Sequence, residues 1–426
     1  MKFLPAMLIA GLCAFSACSD DEGNGEVFSD LTTEEHKAKL EDEGIAFAQN
    51  MDAVADLKLY DVVDVFMNLQ EQDQQNTNVN PTVAFGLDQV NELRKGAKSS
   101  VNLKALAPEE KGSISAEFAE QTGVYTWDGT GFVYAAKEGE ITYIFPVGDV
   151  DATITVNNFS VQLAANQEMD DFELELPLSL DMSVTLGTAE ICSYALVGEW
   201  YDNDTPKLLK ETIKLEVYTF SHELSNNKST LSMGSSFDNN GTVIFANNIT
   251  IEGNVDYSAI MAELEAAEGE EDGLSSAMGQ EILTKANAWF QLGNLKAEGV
   301  LDVKGLMNGM SGAENIDSEE ASNALMIELL NNNVKLYVKY ADSDEIIAKS
   351  EFYLNTYNGS DWIQEADGSW TEVPATFTEP DIRMIFADDS AVDSDFFNTG
   401  FEDMIDEIDA LIAKMEANFG EETPAE

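Results

Sequence analysis

The chain has 426 residues, 44% of them hydrophobic, enough to bury a sizeable core in two or three domains or in large β-rich units. Eighty acidic residues against 22 basic ones give a formal net charge of −58, which repels nucleic-acid phosphates and argues against nucleic acid as a partner. Two histidines and three cysteines are too few for a histidine-rich metal site or an ordinary Cys/His zinc site, so no metal and no cofactor is expected.

Lys2 precedes a mostly apolar run from Phe3 to Phe15, broken by Pro5 and Gly11. The run falls short of the about 20 apolar residues a membrane-spanning helix needs, and it ends in small residues, as a secretory signal peptide does. Ser16 and Ala17 stand directly before Cys18, a cysteine placed for lipidation. Phe15-Ser16-Ala17-Cys18 resembles the lipobox of bacterial lipoproteins, with Phe15 where the common pattern has Leu. Ser19-Asp20-Asp21-Glu22 is similar to the surface-export signal of Bacteroidota lipoproteins. The resemblance implies a signal peptide over 1–17, a lipid on Cys18, an acidic flexible tether over 18–30, and an outer-membrane lipoprotein exposed at the cell surface. The alternative location faces the periplasm. The membrane is then a partner through the N-terminal lipid alone, and Cys192 is the one remaining thiol, read as a buried small hydrophobe.

From Leu31 to Leu69 apolar residues recur at helical spacing behind a threonine cap at Thr32-Thr33, with a break expected near Leu59–Asp61. A short helix is expected around Leu87–Leu93. From Ser113 the period changes to two, predicting strands at Ser113–Phe118, Gly123–Trp127, Gly131–Ala136 and Glu140–Phe145. In Leu174–Leu186 the even positions Leu174, Leu176, Leu178, Leu180, Met182 and Val184 are apolar and their odd neighbours mostly polar, a long one-sided strand. Ala189–Val197, Ile213–Phe220, Ser229–Phe237, Thr242–Val255 and Leu295–Val303 read as further strands, with Asn240-Gly241 in a hairpin turn.

Helices are predicted over Ser258–Ala267, Leu274–Leu292 and Ser318–Leu330, the last with a capping-box spacing from Asp317 to Glu320. Strands return at Val334–Tyr340, Ile346–Tyr357 and Asp381–Ala387, and Phe401 to Met415 forms an amphipathic final helix. The expected fold class is α+β: large antiparallel meander sheets with long amphipathic strands covered by helices, a helical N-terminal segment and a C-terminal helix. Beyond the tether the chain divides into 31–255 and 256–420. The two halves form either one domain or a diverged repeat, because Asp128-Gly129-Thr130 and Asp367-Gly368-Ser369 occupy similar places in similar strand series.

No G-x-S-x-G elbow, P-loop or H-E-x-x-H helix is present, so no catalytic residue is assigned. Carboxylate pairs suited to glycoside hydrolysis occur by chance among 80 acidic residues, and a hydrolase is a remaining alternative only. The acidic triplets Asp202-Asn203-Asp204 and Asp342-Ser343-Asp344 lack the spacing of a calcium loop and read as solvated turns. Asp389-Ser390-Ala391 resembles the O-glycosylation sequon of Bacteroidota exported proteins, which implies Ser390 as its acceptor. One-sided strands under helices are also similar in architecture to the half-barrel lipid and lipoprotein carriers. That resemblance implies a binding protein for a hydrophobic ligand or a partner protein, with Leu174, Leu176, Leu178, Leu180 and Met182 lining its inner face. The alternative is a surface glycan-binding protein that stacks sugars on Trp127, Trp362 or Trp370.

Overall fold

The structure, a computed structural model, describes residues 26–74, 79–94, 113–165, 175–256, 283–311, 318–364, 369–392 and 403–410. Cys18, Leu174 and the helix expected at Ser258–Ala267 lie outside them. The fold is α+β and mostly antiparallel. It divides into two compact units: an early one of Glu43–Asn248, Val255–Ala259 and Asp403–Glu426, and a late one of Met1–Asp42, Ile249–Asn254 and Ile260–Glu402.

Helix α1 (Thr33–Ala55) begins with a reciprocal cap. Glu35 donates its N–H to the Thr32 hydroxyl at 3.3 Å, and the Glu35 carboxylate accepts the Thr32 N–H at 2.8 Å. Helix α2 (Lys58–Gln72) follows after Asp56-Leu57, where Leu57 is extended. The break thus falls earlier than Leu59–Asp61, and Leu59 and Tyr60 are buried inside α2. Helix α3 (Pro81–Arg94) opens on a proline, whose missing N–H is costless there, behind Asn80, which accepts the Thr82 N–H at 2.9 Å.

Ser113–Phe118, expected as a strand, is the first part of helix α4 (Ile114–Gln121). Ser113 caps it by accepting the Ala116 N–H, and Ile114 and Phe118, four residues apart, bury one face. A six-residue alternation is too short to separate the two periods.

The early unit's strands are β1 (Gly123–Trp127), β2 (Phe132–Ala136), β3 (Glu140–Val147), β4 (Val150–Leu163), β5 (Glu175–Leu186), β6 (Ala189–Trp200), β7 (Pro206–Leu215), β8 (Tyr218–Asn226) and β9 (Thr230–Asn239). β10 (Thr242–Glu252) runs to the unit boundary. Their order, β2-β1-β3-β4-β5-β6-β7-β8-β9, is an antiparallel meander except that β1 and β3 pair in parallel. Ile213–Phe220 is not one strand but a hairpin: Leu215 pairs with Tyr218, and Glu216 takes a left-handed φ of 53°. Glu216-Val217 carries none of the usual Gly, Asn or Pro turn signals, so the sequence conceals it. Asn240 and Gly241, by contrast, form their turn with φ of 50° and 81°.

Helices α2, α3 and α4 cover one sheet face. Val62, Val63 and Phe66 of α2, Val83, Phe85 and Val90 of α3, and Ile114 and Phe118 of α4 join one buried cluster with Tyr143, Ile154, Leu180, Met182, Val184, Tyr194 and Ile213. Phe66 meets Tyr143 edge-on at 5.1 Å between centroids. Each such side chain removed from water contributes about 1.5–3 kcal/mol. Residues 403–410 form a further helix, α7, with Ile408 buried.

The late unit contains β11 (Lys285–Leu292), β12 (Leu295–Asp302), α5 (Val303–Ser311), α6 (Glu319–Asn333), β13 (Val334–Tyr340), β14 (Ile346–Gln364), β15 (Trp370–Ile385) and β16 (Ala391–Val392), with the strands in sequential antiparallel order. Lys285–Leu292, expected as the end of a helix, is a strand because Gly293-Asn294 turns it back onto β12, with Leu292 opposite Leu295. α6 is capped by the Ser318 hydroxyl, which accepts the Ala321 N–H. A second cluster gathers Leu295, Tyr340, Ile347, Ala348 and Phe386 with Leu31 and Leu40 of the N-terminal segment.

Candidate functional site

The described residues expected to line a binding face are mostly packed core. Leu180 and Met182 are buried at 0% and 2% exposure, Leu176 is buried and Leu178 half-buried. The reason is close approach of α3: a Cβ on Gly86 would stand 2.7 Å from Met182 Sδ. That face is filled by protein.

Space opens further along the same sheet. A cavity of about 220 Å³ lies between α1, α3 and strands β7 to β10. Phe47, Met51 and Val54 enter it from α1, at helical spacing, and Leu93 from the last turn of α3. Leu215, Phe220, Phe237 and Phe245 form its sheet side, so all eight lining residues are apolar and four are phenylalanines. Phe47 and Met51 are legible as part of a helical stripe. Their partners Phe220 and Phe237 are not, because one lies in the concealed hairpin and cross-strand neighbours are set by turns.

One rung along the strands from Phe220 and Phe237 lies a polar row, buried at two of its three positions and half-buried at the third. Glu211 of β7 stands opposite His222 of β8, which stands opposite Ser235 of β9. His222 Nδ1 and Ser235 Oγ are 2.8 Å apart, and Glu211 is fully buried. Burial first, and the negative charge of Glu211 second, push the Tyr194 phenol strongly upward, so it stays protonated. The row has the residue types of a hydrolytic triad. However, the row lies within the paired ladders of β7, β8 and β9, where its members are held by strand register. His222 is a satisfied core histidine, and its sequence neighbour Glu223 instead pairs with Lys210 on the surface.

The tryptophans separate. Trp127 is half-buried and meets Phe132 edge-on at 5.2 Å. Trp362 and Trp370, on the long β14–β15 ribbon, are 58% and 60% exposed. Ser390 is half-buried, its hydroxyl oxygen is shielded from solvent, and its N–H is donated to Asp388. The acidic triplets form turns: Asp204 and Asp344 each adopt a left-handed φ near 60°, and Asp204 accepts the Ala165 N–H at 2.7 Å. Among the described residues no group of three or more His, Cys, Asp or Glu side chains is placed to hold a metal ion. No described helix is long and apolar enough to cross a membrane.

Comparison of the chain with protein-family models, with curated proteins and with solved structures returns no match.

Proposed function

We propose that this chain is a non-enzymatic exported lipoprotein, tethered to the outer membrane through Cys18, that holds an apolar ligand in its early unit. The observation that carries the ligand reading is the cavity of about 220 Å³ whose described lining residues, Phe47, Met51, Val54, Leu93, Leu215, Phe220, Phe237 and Phe245, are all apolar. Where it opens to solvent the pocket leaves apolar side-chain surface in contact with water, and a nonpolar occupant removes that surface from water. A dry cavity of about 150 Å³ accepts a benzene-sized molecule, so this one suits a ring or a short stretch of acyl chain rather than a whole lipid. The side chains of its described lining carry no polar group, which favours the hydrocarbon part of a ligand. The tether reading is supported by Phe15-Ser16-Ala17-Cys18 and the acidic run behind it.

The test uses the full-length chain with toluene, a single-ring hydrocarbon probe, followed by isothermal titration calorimetry. Saturable binding with a stoichiometry near one is expected, along with its loss in Met51→Trp, which fills the cavity from α1. A chain that shows no saturable probe binding, or one in which Met51→Trp binds as well as the parent, refutes the cavity as the site.

A further inference from the structure

β14 and β15 run 19 and 16 residues, but β13 reaches only Ile346–Lys349 of β14, and β16 only Met384-Ile385 of β15. The rest is a two-stranded ribbon. Helix α6 holds its base, where Asn331 donates its side-chain N–H to the Phe352 carbonyl and accepts the Phe352 N–H, both at 2.8 Å. Further out, Asn323 reaches the Thr378 carbonyl at 3.3 Å. Beyond that point both strands are exposed or half-buried.

The two faces of this outer ribbon differ. On one, Tyr357 stacks on Phe377 at 5.6 Å, with Phe377 lying over the bare backbone of Gly359, and Val373, Ala375 and Phe377 are half-buried. The other face carries Trp362, Ser360, Asn358 and Thr356 from β14, and Trp370, Glu372, Pro374 and Thr376 from β15, all exposed. Thr376 donates to Asn358 across it at 3.1 Å, and Thr356 meets Thr378 at 3.1 Å. The register sets Trp362 opposite Glu372 and Trp370 opposite Gln364, so the two indoles are diagonal neighbours on one face. Such diagonal positions lie about 7–8 Å apart, within reach of aromatic side chains.

We propose that this face is a stacking platform for a neutral glycan. Two large exposed rings on one face of a projecting ribbon are a cost to solubility that needs an occupant. Sugar rings offer an apolar C–H face bounded by hydroxyls. The ribbon offers the complement: two indole faces flanked by the hydroxyl, amide and carboxylate groups of Ser360, Asn358, Thr376 and Glu372. A neutral polymer is not repelled by a chain of charge −58, as an anionic one is. Glu372 on this face and Asp361 on the other oppose burial of this tip in a bilayer.

The experiment is native affinity electrophoresis of the full-length chain through gels containing soluble galactomannan, xyloglucan or dextran, with flotation on phosphatidylcholine vesicles as the competing arm. Retardation by at least one polysaccharide is expected, weakened about tenfold or more in Trp362→Ala/Trp370→Ala and retained in Trp362→Phe/Trp370→Phe. Met51→Trp, which blocks the cavity, leaves this retardation unchanged, so the two sites fail independently. Circular dichroism of each variant confirms folding, and the single substitutions Trp362→Ala and Trp370→Ala give intermediate retardation. No retardation by any of the three polymers, retardation unaffected by the double alanine variant, or vesicle flotation that depends on the two tryptophans each overturns the proposal.

Discussion

Glu175, the first residue of β5, accepts the backbone N–H of Ser115 at 2.9 Å and so closes the N-terminus of α4, 60 residues earlier in the chain. Ser113 donates its hydroxyl to the same carboxylate at 2.7 Å. The strand's first charge therefore compensates the helix's unpaired N–H groups and positive end.

This bond makes stability acid-sensitive. Burial raises the Glu175 carboxyl, but the hydrogen bonds from Ser115, Ser113 and the helix N–H groups outweigh it, and the folded pKa lies below the ordinary 4.5. A depressed carboxyl contributes stability fully above its unfolded pKa and loses it as pH falls through the folded value. Glu175→Gln is expected to lower stability by about 1 kcal/mol at neutral pH, the carboxylate being only partly buried. Below about pH 4 the difference from the parent should shrink. Urea titrations at pH 7 and pH 3.5 check it, and a deficit that stays constant between them contradicts the assignment.

His36 gives acid sensitivity by the opposite route. It is 2% exposed, its Nδ1 lies 2.8 Å from the Tyr340 hydroxyl, and it stacks on Phe386 at 6.0 Å. Burial depresses its pKa, with Glu35 opposing and Lys39 reinforcing the shift. The neutral imidazole is the folded form, so the unfolded chain binds the proton more readily. Stability then rises with pH from the folded pKa up to about 6.5 and is lost on acidification through that window. Replacing the imidazole by an uncharged ring of similar size, His36→Phe, should flatten the melting temperature between pH 5 and 7 relative to the parent. An unchanged pH profile in that variant assigns the acid sensitivity elsewhere.

The sequence made these elements legible unevenly, for physical reasons. The Leu176–Val184 alternation shows which face of β5 is buried, because the strand period is two whatever lies opposite. It cannot show whether protein or ligand fills that face, and here Gly86 of α3 decides the matter. The exposure of Trp362 and Trp370 was equally hidden, since a tryptophan in a strand has the same letter on either face. Phe47 is visible on a helical stripe, whereas Phe220 reads as the end of one strand Ile213–Phe220, because a two-residue turn without glycine or asparagine separates β7 from β8.

Close packing at Gly86 predicts a coupled pair. The ideal Cβ position lies 2.7 Å from Met182 Sδ and 3.1 Å from Met182 Cε, so any side chain there displaces a buried thioether. Gly86→Ala gains helix propensity of about 1 kcal/mol yet is expected to be net destabilising by about 1–3 kcal/mol through overpacking. Shortening the partner in Gly86→Ala/Met182→Val should recover part of that loss, giving a favourable coupling energy in a double-mutant cycle measured by urea unfolding. Additive losses would mean that the helix and strand do not touch at this point.

Cys192 supplies an independent probe of the same core. It is 1% exposed between Tyr194 and Ile191 on β6, and burial, assisted by the nearby Glu190, pushes its thiol up to about 12. The thiolate is the reactive form, so at pH 8 the folded chain presents almost none of it and shields what there is. In the Cys18→Ser chain freed of residues 1–17, Cys192 should be inert to a thiol-disulfide reagent in buffer and react fully in 8 M urea. Its slow labelling at intermediate urea should follow the opening of the core rather than reagent chemistry, and so accelerate in Gly86→Ala by the factor that variant's lost stability dictates. Rapid labelling of the native chain would place Cys192 at the surface and break the inward alternation of β6.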